Sequence, residues 1–139
     1  ADQLTASTFA SAVAINDGAG RFRLRALPDL AQLEPIYALL TGDVDGDGAT
    51  DLLLGGGLLN VPPERGRYDA GYGLLLRQQR GQLRPAGLGA GLVLDGEVRQ
   101  LRWLRAADGG RLLVAARNDG PLRVLRLADT RARPASVAQ

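Results

Sequence analysis

Four residue types are absent from the 139-residue sequence: cysteine, histidine, methionine and lysine. Without cysteine and histidine, the chain has no disulfide, thiol nucleophile, zinc finger or histidine-based catalytic triad. Without lysine, it has neither a Schiff-base nucleophile nor the lysine of a phosphate-binding P-loop. What remains for chemistry is oxygen, in carboxylates, hydroxyls and backbone carbonyls.

Aromatic residues and long apolar runs are also scarce. Aromatic side chains make up 4% of the sequence, so the core must be built from leucine, valine and alanine. No apolar run reaches the ~18 residues of a membrane helix, and no secretory signal segment is visible. The 19 glycines favour many tight turns over long helices. We therefore expect a globular chain without a membrane span.

Charge is divided unevenly along the chain, although the formal net charge is only +2. Residues 1–69 hold ten acidic residues and five arginines, whereas residues 70–139 hold five acidic residues and twelve arginines. The arginines of the second part are spread over many strand-like segments, without clustered aromatic residues that could stack on bases. We therefore expect solvated strand faces and no nucleic-acid partner.

Strand periodicity begins with a hairpin in residues 11–26. The turn at Asn16-Asp17-Gly18 is typical of a hairpin, and the run that follows alternates strictly between arginine and apolar residues. Side chains at alternate positions of a strand share one face. The alternation therefore predicts that the three arginines of this run face solvent, and that Phe22, Leu24 and Ala26 face the core.

The strand pattern returns about 60 residues later, which is the size of a propeller blade with four short strands. The repeat predicts an all-β fold with about two four-stranded antiparallel β-propeller blades and the start of a third. Such a chain does not close on itself, because a closed propeller needs at least four blades. A single β-sandwich with two similar halves is the alternative. The predicted division is a first blade at 1–60, a second blade at 61–117, an extra terminal strand at 118–128 and a flexible tail at 129–139.

The acidic segment 43–51, Asp-Val-Asp-Gly-Asp-Gly-Ala-Thr-Asp, is the one motif with specific chemistry. Its carboxylates stand at loop positions 1, 3, 5 and 9, and would repel one another unless a hard cation neutralised them. Ca²⁺ takes six to eight oxygen ligands, whereas Mg²⁺ suits so carboxylate-rich a loop poorly. The candidate ligands are the side chains of Asp43, Asp45, Asp47 and Asp51, with the backbone carbonyl of Ala49 at position 7.

A plain solvated turn and an EF-hand are the two other interpretations of this loop. A plain solvated Asp/Gly turn would leave four carboxylates close together without compensation. An EF-hand begins with the same spacing, but it needs an acidic residue at position 12 and flanking helices. Position 12 is Leu54, inside a leucine-rich segment that is typical of a strand. The EF-hand therefore fails on both requirements.

With these motifs the stretch from 11 to 57 resembles an FG-GAP/VCBS repeat, the blade of integrin-type β-propellers. The resemblance rests on the hairpin turn with Gly20 and Phe22, the Leu27-Pro28 pair, and the acidic loop with the strand after it. It implies that the loop joins two strands of a blade and binds Ca²⁺ through the five candidate ligands above. It also implies the C-terminal part of a longer bacterial VCBS-repeat protein, and the absence of an initiating methionine agrees with a processed or excised chain.

The second repeat departs from the pattern at its corresponding loop, between Arg105 and Arg111. At an offset of 60 residues, Arg105 falls on the position of Asp45 and Arg111 on that of Asp51, and Asp108 is the one carboxylate left. We therefore expect no metal in this second loop.

The functional expectation is a calcium-binding repeat module and not an enzyme, serving as an extracellular or cell-surface binding, scaffold or adhesion domain. A lectin-like module and the non-catalytic part of a secreted polysaccharide-degrading enzyme are the alternatives. The expected partners are a protein or glycan ligand and further blades of the same or another chain. Four residues could either form a sugar or peptide platform or fill the space between blades: Tyr68, Asp69, Tyr72 and Trp103.

Overall fold

The computed structural model describes residues 4–59, 61–62, 64, 66, 71–87, 91–118 and 120–127. These residues form nine β-strands and one short 3₁₀ turn at Asp29–Gln32. The strands are β1 (Ala12–Asn16), β2 (Phe22–Ala26), β3 (Ile36–Gly42), β4 (Asp51–Gly56), β5 (Leu74–Gln79), β6 (Gln82–Pro85), β7 (Glu97–Arg105), β8 (Arg111–Asn118) and β9 (Arg123–Arg126). The all-β prediction is confirmed.

The described strands form three antiparallel sheets, none of which closes into a barrel. The first sheet is the hairpin β1-β2, the middle sheet has the order β3-β4-β5-β6, and the third sheet has the order β7-β8-β9. The middle sheet runs from 36 to 85 and so crosses the predicted repeat boundary at 60. No helix of the described residues is long and apolar enough to cross a membrane. The terminal tail at 129–139 lies outside the described residues.

The middle sheet has an apolar layer on each of its faces. On one face, Leu52, Leu54 and Leu76 form a buried cluster with the segment after the hairpin, and Val13 of β1 packs against it. On the other face, Leu53 and Leu75 pack with the third sheet in the main buried cluster. Alternate residues of β4 therefore meet two different layers, which is why all six of its residues are buried.

The hairpin faces the middle sheet with the side opposite to the one predicted. Phe22 is 62% exposed and Leu24 is 67% exposed, whereas Arg25 donates from Nη1 to the carbonyl of Gly81 in the β5–β6 turn at 3.0 Å. The prediction of a buried apolar face on β2 was wrong, because all five residues of this strand are exposed, whereas the arginines lie at the surface as predicted. Alternation determines which residues share a face, whereas the packing of other sheets determines which face is covered.

The middle and third sheets approach closely because small residues lie at their contact. A Cβ atom on Gly55 would lie 2.7 Å from Cγ1 of Val98, and one on Gly42 would lie 2.9 Å from Nε1 of Trp103. β3 and β7 also share an irregularity, since each shows a register shift near its start. The middle and third sheets, which begin with β3 and β7, are therefore alike both in the order of their strands and in the position of this register shift.

Candidate metal centre

The acidic loop joins β3 to β4, and the strand ladder closes it at its base. Gly42 and Asp51 are the last paired residues of the two strands, so residues 43–50 form the loop. Gly46 and Gly48 have φ angles of 81° and 85°, which residues other than glycine adopt only with strain. These two residues let the chain fold back so that its carboxylates converge.

Three of the four predicted carboxylates come together. Asp43, Asp45 and Asp51 each offer one oxygen, and the three oxygens lie within 4.8 Å of one another. Oxygens that bind one Ca²⁺ at about 2.3–2.6 Å are at most about 5 Å apart, so this spacing is compatible with a shared ion. Asp47 is exposed and stands outside the group, and Ala49 is half-buried on the way back to the strand.

Asp51 is the fixed member of the group. It is 1% exposed, its Oδ2 accepts a hydrogen bond from the backbone N–H of Val44 at 2.9 Å, and its Oδ1 accepts one from Gln78 at 3.0 Å. Because Gln78 lies in β5, this carboxylate ties the loop to the neighbouring strand. A carboxylate oxygen has two lone pairs, so each oxygen keeps capacity for a further ligand.

The other loop carboxylates accept hydrogen bonds from the loop backbone itself. Asp43 accepts from the N–H groups of Gly46 at 2.6 Å and Gly48 at 3.1 Å, and Asp47 accepts from Ala49 at 2.7 Å. Such bonds are ordinary in Asp/Gly turns and stabilise the loop shape without an ion. The structure therefore combines a converging set of carboxylates with an internally hydrogen-bonded turn.

Two arginines beside the loop were missed by the sequence analysis. Nε of Arg77 lies 3.3 Å from Oδ2 of Asp45, yet this buried Nε makes no hydrogen bond within the described residues. Arg111 donates from Nη2 to the backbone carbonyl of Asp43, and its guanidinium lies 5.4 Å from the centre of the Trp103 ring. No local sequence pattern predicts either contact, because each joins the loop to a residue far along the chain.

Trp103 connects the loop base to the third sheet. Its indole Nε1 donates to the backbone carbonyl of Thr41 at 2.9 Å, just before the loop begins. Trp103 therefore packs between the middle and third sheets, where it is half-buried against the main buried cluster. Tyr72, in contrast, is 62% exposed and lines a separate cavity of about 550 Å³, whereas Tyr68 and Asp69 lie outside the described residues.

The corresponding loop of the third sheet has no comparable group. Counted from the register shift near the start of each strand pair, Leu104 and Leu112 correspond to Gly42 and Asp51, and one further pair, Arg105 with Arg111, closes the third-sheet loop. Strand register therefore places Leu112 at the position of Asp51, one residue from the assignment made by the sequence offset. Asp108 accepts from the N–H of Gly110 at 3.0 Å and from Arg126 at 2.7 Å. The Gly110 N–H first, and then the Arg126 guanidinium, lower the pKa of this carboxyl.

Comparisons with known proteins identify no relative of this chain. No family model matches it, and neither the curated proteins nor the solved structures contain a match. Any functional assignment must therefore rest on the geometry and chemistry of the chain itself.

Proposed function

We propose that this chain is a calcium-binding β-propeller repeat module that serves as an extracellular binding or scaffold domain. The observation that carries the proposal is the convergence of Asp43, Asp45 and Asp51 within 4.8 Å at the closed end of one strand pair. A bound Ca²⁺ would neutralise these carboxylates and join the start of the loop, at Asp43 and Asp45, to Asp51 at the start of β4. The ion would then act as a structural cross-link that keeps the rim of the module rigid.

The donor set fits a calcium ion in number and kind. The three converging carboxylates supply between three and six oxygens, depending on whether each binds through one oxygen or two. Asp47 and the carbonyl of Ala49 lie in the same loop and could complete the shell together with water. The absence of histidine and cysteine from the sequence favours a hard cation over zinc.

The sheet arrangement supports the propeller interpretation. Propellers are built from four-stranded sheets that pack face to face around an axis. The middle sheet has four strands, and a sheet packs on each of its faces. In this interpretation the hairpin is the outer half of one blade, and the third sheet is the inner three strands of another.

Calcium is expected to protect the loop from hydrogen exchange, because a cross-linked loop opens less often. Backbone amides of residues 43–51 should exchange at least about tenfold more slowly in Ca²⁺ than in EDTA, since 1.4 kcal/mol of added stability corresponds to a factor of ten. Amides of residues 105–111 serve as the internal control and should be unchanged. Equal protection of both loops, or of neither, would contradict the proposal.

Removing the Arg77 guanidinium is expected to strengthen calcium binding, because it lies beside Asp45 and opposes a second cation there. Arg77→Gln should lower the calcium dissociation constant about two- to fivefold, the effect of a partly exposed ion pair worth up to about 1 kcal/mol. Arg84→Gln is the matched control, because Arg84 is paired with Arg77 across the β5–β6 ladder and its loss changes the net charge equally. Equal affinities of the two variants would show that Arg77 has no specific effect.

A glycan-binding module is the second candidate, and the exposed ring of Tyr72 favours it. Tyr72 lines an apolar cavity of about 550 Å³ together with Glu34 and Leu92, and this volume is within the usual range of small-ligand sites. An aromatic ring beside a carboxylate can stack on a sugar and accept its hydroxyl hydrogen bonds. Binding of the chain to a glycan array, lost in Tyr72→Ala, would support this candidate over a pure scaffold.

A further inference from the structure

The two outer sheets each present an apolar face that no described residue covers. On the hairpin, Phe22 and Leu24 point away from the middle sheet and are 62% and 67% exposed. On the third sheet, Leu104 and Val124 are 55% and 56% exposed, while the opposite face holds the fully buried Leu113. We call these surfaces the hairpin face and the third-sheet face. A sheet face on which several large apolar side chains are exposed is typical of an interaction site.

The hairpin face corresponds to a surface that is buried in the middle sheet. Phe22 pairs with Asn16 in the β1-β2 hairpin, as Leu83 pairs with Gln78 in the β5-β6 hairpin. Leu83 packs in the cluster between the middle sheet and the first one. The face of the middle sheet that carries Leu83 is covered by the first sheet. The equivalent face of the first sheet, which carries Phe22, is uncovered.

The third-sheet face corresponds to the other buried surface of the middle sheet. Counted from the register shift that the two strand pairs share, Leu112 corresponds to Asp51, so Val114 corresponds to Leu53. Leu53 is 1% exposed because the third sheet covers it. Val114 lies on the uncovered side, beside its cross-strand neighbours Val124 and Arg102. Among the described residues, the hairpin face and the third-sheet face therefore correspond to the two sides of one sheet-to-sheet contact, and each lacks the other as its partner.

We propose that two copies of this chain associate head to tail, with the hairpin face of one copy packed on the third-sheet face of the other. The partner is a second copy because the chain carries both surfaces of the contact. The equivalent surfaces of the middle sheet already pack against other sheets inside the chain. A contact between two different surfaces is heterologous, so copies join in a ring or an open chain. The inference rests on the sheet layers and does not depend on calcium.

Complementation between two variants tests the proposal. Leu24→Asp alters only the hairpin face, and Val124→Asp alters only the third-sheet face. In sedimentation velocity, the unaltered chain should associate as its concentration rises, and each variant alone should associate at least about tenfold more weakly. An equimolar mixture should form one-to-one dimers, because one intact contact remains between the two variants.

Several outcomes would overturn the head-to-tail contact. A chain that stays monomeric at all concentrations has no such partner in a second copy. A variant that associates alone as strongly as the unaltered chain indicates a symmetric contact that uses only the other face. The single variants Phe22→Asp and Leu104→Asp provide a second complementary pair, one on each face. Circular dichroism confirms that each variant is folded. Leu33→Asp is the control, because Leu33 is exposed but belongs to neither face, and it should associate normally. Calcium titration of the monomeric variants separates failure of this contact from failure of the calcium site.

Discussion

Replacing Asp51 with alanine is expected to lower the free energy of unfolding by about 2–5 kcal/mol, even when no calcium is present. The carboxylate is almost fully buried and accepts one backbone hydrogen bond on each oxygen, from Val44 and from Gln78. Alanine would leave both N–H groups without their acceptor, and each buried donor left unpaired costs about 1–3 kcal/mol. Urea unfolding in EDTA, followed by circular dichroism, measures this loss.

Asp47→Ala is the matched control for this prediction. It removes a carboxylate from the same loop, but Asp47 is exposed and accepts a hydrogen bond only from Ala49 among the contacts described for it. Its cost in EDTA should be below about 1 kcal/mol, as for exposed hydrogen bonds in turns. If the two variants lose equal stability, Asp51 does not anchor the loop to β5 in the manner described.

Glu97→Gln is expected to be the other large effect, with a loss of about 2–4 kcal/mol in the free energy of unfolding. Glu97 is 4% exposed at the start of β7. Its Oε1 accepts from the backbone of Leu59, and its Oε2 accepts from Arg99 at 2.9 Å and from Asn118 at 2.8 Å. Whichever way a glutamine amide is turned, its NH₂ group faces at least one of these donors.

Asp95→Asn is the control for Glu97→Gln, because Asp95 also joins arginines to its strand region but is 41% exposed. The pair with Arg123 is exposed and contributes little to stability. Arg117 is 10% exposed, but it keeps its hydrogen bonds to the backbone carbonyls of Asp95 and Pro121, so this variant should lose less than about 1 kcal/mol. Urea unfolding of both variants at neutral pH gives the comparison. A loss in Asp95→Asn as large as that in Glu97→Gln would contradict the role of burial.

The strands and the acidic loop could be predicted because their signals are local. The turn at Asp17-Gly18, the alternation of β2 and the leucine run of β4 each lie within a few residues of sequence. The face of β2 that is covered could not be predicted, because it depends on a sheet whose strands begin at Ile36. The hairpin contacts the middle sheet through Val13 and Arg25, whereas its apolar side at Phe22 and Leu24 remains open.

The candidate site divides in the same way. Spacing alone predicted four equivalent aspartates, whereas the structure separates the buried Asp51 from the exposed Asp47 through the pairing of β4 with β5. Arg77 reaches Asp45 for the same reason, and no spacing rule could place it there. Glu97 carries no local sequence signal, because two of its three donors, Leu59 and Asn118, come from distant segments. Contacts that depend on sheet pairing therefore escape a sequence analysis that rests on periodicity.

Calorimetric titration of the metal-free chain with Ca²⁺ is the most direct test of the calcium site. The expected result is about one ion bound per chain, with a dissociation constant in the range of about 10⁻⁴–10⁻³ M typical of extracellular modules, or tighter. The variant Asp43→Asn with Asp45→Asn should show no saturable heat, because it removes two of the three converging carboxylates. Absence of binding by the unaltered chain, or binding that survives in this variant, would contradict the site.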